Sequence, residues 1–278
     1  MKKVIFMTDA CSLDCNALDF ACFIAGNAKA SLKGLFFEDA DYVDDAVLSD
    51  LSPSPCGDIL GEPDTVGFET STEIQALNIQ RFKDFCAKRN ITCTVRCLGK
   101  ADLDNALIES RFADLIVAGG KMSFPDEKNR FPSPFLRGVL QKAECPIIIS
   151  SERIRYVEEI ILAYDGSASS VFAIRQFAYL LSFFDSKRII VVQVGDVSEV
   201  SYKQQISELL KGYYSQIGYE VLHGEDPAFE LFNFLKKRDH CFIVMGAYGR
   251  AYLSQLFKDS TATPLIQLLK QPVFITHC

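Results

Sequence analysis

Histidine is scarce in this sequence: three residues in 278, none beside a candidate serine or cysteine nucleophile. A Ser-His-Asp or Cys-His hydrolytic site is therefore not expected. Cysteine is plentiful at ten, but no C-x-x-C occurs, and the two closest pairs, Cys11/Cys15 and Cys93/Cys97, have no histidine near them. Zinc sites join close cysteines to further close cysteines or histidines, so no metal site is expected. Several cysteines stand in apolar runs, as Cys22 in FACFIA and Cys241 in CFIVMG, where cysteine acts as a small hydrophobe. Reduced, structural thiols fit a cytoplasmic protein. Basic charge is also short: 29 Lys and Arg against 36 Asp and Glu leave a net charge of −7, the opposite of a nucleic-acid surface. No apolar run approaches the roughly 18 residues of a membrane span. The N-terminal MKKVIFMTDA has too short an apolar stretch for a signal peptide and reads as a core strand.

What is present is a sequence written twice. KKVIFMTDAC near the start resembles EEIILAYDGS at 158–167, each an apolar strand ending in an aspartate, Asp9 or Asp165. An amphipathic stretch of helical period follows each one. Further on, ADLIVAGG (113–120) parallels HCFIVMGA (240–247), and ECPIIIS (144–150) parallels QPVFITH (271–277). The offset is 156 residues at the first strand and 126 to 127 later, so the first half carries an insertion of about 30 residues, supplied by 38–70. A repeat this long means two copies of one domain, 1–152 and 153–278, rather than a solenoid. Strands alternating with helical segments predict an α/β fold of two tandem, doubly wound, five-strand, mainly parallel sheets. The short apolar terminal segments PIIIS and PVFIT would be hazardous as open sheet edges and are expected to pair with each other, making an intramolecular pseudo-dimer.

In such sheets ligands sit beyond the carboxyl ends of the strands, where strand order reverses. Asp9, Asp165 and the segment MGAYGRAYLSQLFKDSTA (245–262) all fall at such ends. Gly246 and Gly249 let the backbone approach a ligand and can turn N–H groups toward a phosphate. Arg250 and Lys258 add cations, and Ser260 and Thr261 add hydroxyls.

These residues resemble the universal stress proteins, in the tandem form that joins two domains in one chain. That family has an adenine nucleotide α-hydrolase-like domain, an aspartate after the first strand and a phosphate loop G-x2-G-x9-G-[ST]. The matching residues are Asp165, Gly246, Gly249 and Ser260, with Asp259 standing in place of the third glycine. The resemblance implies that Asp165 contacts the base or ribose of an adenine nucleotide (ATP, ADP or AMP). It implies that Val194 and Met245 line the base pocket and that Gly246, Gly249 and Ser260 hold ribose and phosphates. A stress-response role exercised by binding follows, with a further homodimer left open. At Asp259 a carboxylate would face the phosphates; like charges about 4 Å apart cost roughly 1 kcal/mol in water and more when partly buried. Pro264, with Thr263 as N-cap, would start the last helix late and move its anion-favouring end.

The first half has no comparable loop. Gly119 and Gly120 follow the strand, but Met122 stands where the spaced glycine would be, and Ser133-Pro134 reads as an N-cap and first helical position. From Lys33 to Arg81 no basic residue intervenes, and the acidic insertion 38–70 reads as a solvated lid. The spacing Asp39-x-Asp41-x-x-Asp44 lacks the ligands and turn glycine of an EF-hand. A phospho-receiver would need more acidic residues beside Asp165 and a lysine after the last strand, which ends Thr276-His277-Cys278. A nucleotidyltransferase would carry paired histidines, and none are paired. No catalytic residue is assigned. A ligand-free interaction module and a slow ATP hydrolase stay open beside the binding protein.

Overall fold

The computed structural model describes residues 1–38, 70–123, 132–150, 156–246 and 271–276. Gly249, Arg250, Lys258, Asp259, Ser260, Thr261, Thr263 and Pro264, and almost all of the acidic insertion, lie outside the described residues.

The first half runs β1 (Lys3–Asp9), α1 (Cys15–Asn27), β2 (Ser31–Phe37), α2 (Ser71–Lys88), β3 (Cys93–Leu98), α3 (Leu103–Ser110), β4 (Leu115–Gly119), α4 (Pro134–Lys142) and β5 (Ile147–Ser150). The second repeats the order as far as its fourth strand, with 247–270 outside the described residues: β6 (Glu159–Ala163), α5 (Ala168–Leu180), β7 (Arg188–Val194), α6 (Lys203–Lys211), β8 (Ile217–Leu222), α7 (Pro227–Lys236), β9 (Cys241–Gly246) and β10 (Val273–Thr276). Short polar residues start most of the helices. Asp14, Asp102, Ser133, Ser167 and Asp226 each accept a backbone N–H of the first turn, and Thr70 with Glu73 forms a capping box. Ser133-Pro134 acts as its sequence predicts, and Asp226-Pro227 repeats the device on α7.

The ten strands of the described residues join one sheet in the order β3-β2-β1-β4-β5-β10-β9-β6-β7-β8. Every pairing is parallel except that of β5 with β10, which is antiparallel through Val273↔Ile149, Phe274↔Ile148 and Ile275↔Ile147. The two terminal strands thus cover each other's edges as expected, and each half keeps the doubly wound order. Both sheet faces are covered. The apolar core on one face includes residues of α1, α2, α5 and α6, and that on the other residues of α3, α4 and α7. Central strands buried on both sides explain the unbroken apolar runs in the sequence.

An aromatic cluster adds to the seam between the halves. Phe20 on α1 meets Phe242 on β9 edge-on, with ring centroids 5.9 Å apart, and Phe23 meets Phe183 and Phe184, each at 6.1 Å. Phe177 continues the cluster to Phe242 and Phe274, both at 5.3 Å. Residues 38–70 connect β2 to α2 where residues 195–202 connect β7 to α6, so the insertion occupies a defined place in the repeat.

Candidate functional site

In the second half the chain moves from β6 outward to β8, then returns to the other side of β6 with β9, so strand order reverses between β6 and β9. Two predicted site residues leave from these two strands. Asp165 follows β6, and Gly246 closes β9. Side-chain alternation puts Met245, at the end of β9, and Val194, at the end of the neighbouring β7, in the apolar cluster on the α7 side of the sheet. Met245 is buried and Val194 half-buried. The described part of the predicted site thus comes together at three adjacent carboxyl ends, the crevice where ligands bind such sheets.

Asp165 is exposed there. Its Oδ1 accepts the Ser167 N–H at 2.9 Å, fixing the turn into α5. Burial pushes its carboxyl up, but hydrogen bonds from Ser167 and Ser170 outweigh this and hold it below the ordinary value of 3.8. At neutral pH it is an anion, suited to accept from hydroxyl or amino groups and to repel phosphate. Gly166 next to it has φ +77°, a conformation that favours glycine.

Gly246 has a second reason to be glycine. A Cβ there would lie 2.5 Å from Ser169 Oγ and 2.7 Å from Ser169 O. The end of β9 packs directly on the first turn of α5, so this glycine is required by packing whether or not a ligand approaches it.

The first half places its counterparts differently. Asp9 is buried, and its Oδ1 accepts from the N–H groups of Cys11 (2.7 Å) and Ser12 (3.2 Å). The longer α2 lies over this turn: Asn78 Nδ2 donates to Ala10 O at 3.0 Å, and the Cys11 thiol contacts Ser71 O at 3.9 Å. Beside the end of β4, Asp14 Oδ2 lies 2.5 Å from where a Gly119 Cβ would be. A carboxylate thus caps α1 at the corner where Ser167, a neutral hydroxyl, caps α5. A roofed aspartate and a second carboxylate make this corner unsuited to an anion.

Sequence reasoning missed three features. Thr276 Oγ1, on the residue paired with Gly246, and Ser150 Oγ, on the residue paired with Gly119, are buried without a hydrogen-bond partner among the described residues. The signal was present, since PIIIS and PVFIT are apolar after their proline except at the last residue. The third is the loop 195–202, which gave no pattern to read. Buried Gln193 on β7 grips it by donating to Ser201 Oγ at 3.0 Å and accepting the Ser201 N–H at 2.8 Å. Among the described residues no group of three or more His, Cys, Asp or Glu side chains is arranged to hold a metal ion, and no helix is long and apolar enough to cross a membrane.

No protein-family model matches the sequence, and no curated protein matches it. Solved structures do match. A universal stress protein from Archaeoglobus fulgidus DSM 4304 superposes with a TM-score of 0.67 at 14% identity, over 99% of this chain and 98% of that one. A protein of unknown function from Pseudomonas aeruginosa PAO1 gives a TM-score of 0.62 at 15% identity, over 100% of this chain and 92% of that one. Likeness this distant in sequence and this complete in length bears on the fold. With one continuous sheet made of two five-strand windings, the chain has the tandem α/β fold of a universal stress protein.

Proposed function

We propose that this chain is a cytoplasmic stress-response protein that works by binding, and that its second half holds an adenine nucleotide (ATP, ADP or AMP). The observation that carries the reading is the pairing of an exposed, ionised Asp165 with the glycine-ended β9 at the point where strand order reverses. Met245 and Val194 supply an apolar wall beside it, suited to a base. From the sequence, Gly249, Arg250, Ser260 and Thr261 would serve ribose and phosphates. The two functional units would be 1–152 and 153–278, the first without a nucleotide. The cytoplasmic setting rests on the cysteine pattern of the sequence.

Asp259 gives the reading its shape. A carboxylate in the phosphate loop predicts a site that holds the adenosine end better than the terminal phosphates. Calorimetry with ATP, ADP and AMP tests this. Asp165→Ala should weaken all three alike, while Asp259→Gly should strengthen ATP binding about tenfold more than AMP binding if about 1.4 kcal/mol of repulsion is relieved. Absence of binding at millimolar concentration by both the wild type and Asp259→Gly would overturn the reading in favour of a ligand-free interaction module. Release of phosphate from ATP would point to a slow hydrolase.

A further inference from the structure

Tyr202 is placed against its own conformational preferences. It is the N-cap of α6 with φ 53° and ψ 35°, a left-handed backbone that non-glycine residues seldom adopt, and its side chain makes no cap hydrogen bond. Thr70 at the matching start of α2 forms a full capping box with ordinary extended geometry. A tyrosine in place of a serine or aspartate therefore gives up both a cap and a relaxed backbone.

Neighbouring residues hold it there. Gln193 fixes Ser201 through both ends of its amide, as described above. The ring lies beside Gly166, itself left-handed: a Cβ built there would be in ordinary contact with the ring, 3.8 Å from Tyr202 Cε2, and 3.7 Å from Ser201 Cβ. The ring therefore stands next to the Asp165-Gly166 turn, about a methyl group's width from the glycine backbone. It is also close enough to Tyr164 that burial first, then the charges of Asp165 and Tyr202, raise the Tyr164 phenol. Yet Tyr202 is 66% exposed. A strained aromatic residue, anchored from below and open above, beside the one carboxylate assigned to the ligand, has the features of a stacking platform.

We infer that Tyr202 is a specificity-determining residue, an aromatic wall on which the base of a bound nucleotide stacks while Asp165 accepts from its polar groups. This rests on the nucleotide reading above and adds a discrimination to it: the site selects flat, aromatic ligands over bare phosphates. Any nucleobase offers a π-face, so the platform favours purines for their area and not through a hydrogen-bond code.

The sequence contains no tryptophan, which makes a clean test available. In Tyr202→Trp the introduced indole is the sole tryptophan, and adding ATP or AMP should quench or shift its emission, while tripolyphosphate should not. Tyr202→Gly removes the ring and relieves the left-handed backbone, so it should fold at least as well as the wild type. It should bind ATP and AMP about tenfold more weakly, with Tyr202→Phe within about twofold of wild type. If the wild type binds nucleotide and Tyr202→Gly binds it equally well, the platform is refuted and the nucleotide reading stands. If the wild type binds no nucleotide, both fall. An emission change with tripolyphosphate as large as that with AMP would also refute stacking.

Discussion

Replacing Gly246 with alanine separates what packing demands of the site from what a ligand would demand. The new Cβ would start 2.5 Å from Ser169 Oγ, 2.7 Å from Ser169 O and 2.8 Å from Ser169 C. The hydroxyl can rotate away, but the carbonyl belongs to the first turn of α5 and cannot. Relief to an ordinary contact beyond 3.4 Å requires β9 and α5 to part. Overpacking of this kind costs about 1–3 kcal/mol, and a backbone obstacle places it near the top of that range. Alanine's smaller unfolded-state entropy returns about 0.4–1 kcal/mol, leaving a net loss of about 2 kcal/mol. Gly119 is the internal control. The nearest atoms its Cβ would meet belong to the Asp14 side chain, Oδ2 at 2.5 Å, and that carboxylate can turn aside at the expense of its cap. Gly119→Ala should therefore cost about 1 kcal/mol or less. Urea unfolding of the two variants beside wild type measures both. Gly246→Ala as stable as wild type, or less harmful than Gly119→Ala, would refute the packing argument. A loss of ligand affinity in Gly246→Ala without loss of stability would show that the glycine serves the ligand instead.

Phe20→Ala, which removes a buried ring from the seam between the halves, should destabilise the chain by about 3–5 kcal/mol. It should also raise hydrogen exchange in β9 and β10 more than in β2 and β3. Glu109 gives a pH prediction. Burial pushes its carboxyl up, but hydrogen bonds from Lys33 and Arg96 and the charges of Lys33 and Lys3 more than offset this and hold it below the ordinary 4.5. A lowered folded value means that its contribution is complete above 4.5 and is lost as pH falls through the folded value. Glu109→Gln should therefore lower stability near neutral pH by about 1 kcal/mol, and the gap to wild type should close in acid, read from urea midpoints over that range. Gln193→Leu should leave global stability lower by only about 1 kcal/mol while speeding exchange at the Ser201 amide, because the change frees one end of loop 195–202.

Much of this fold is legible in one dimension because the chain says it twice. The apolar runs IILAY, RIIVVQV and CFIVMG predict strands buried on both faces, and the matching terminal runs predict the β5–β10 seam. Ser133-Pro134 announces a helix start through chemistry that is local to four residues, and Asp14, Ser167 and Asp226 cap their helices by the same local device. Asp165, Met245 and Gly246 are recognisable by their place at strand ends.

What the sequence alone could not decide concerns contacts between distant segments. Asp9 and Asp165 look equivalent in their strings, yet one is roofed by α2 and the other is exposed, because helices of different length follow the second strand of each half. Gly246 looks like a ligand glycine until Ser169, 77 positions earlier, is seen against it. Tyr202 looks like a loop residue until its left-handed backbone, its neighbour Ser201 held by Gln193, and its place beside the Asp165-Gly166 turn are seen together. Local pattern determines which elements form and which faces they bury, since both depend on neighbours within a turn or a strand. Which carboxylate stays open, which glycine is filled against and which ring faces the crevice depend on how the elements meet, and only the packed sheet decides that.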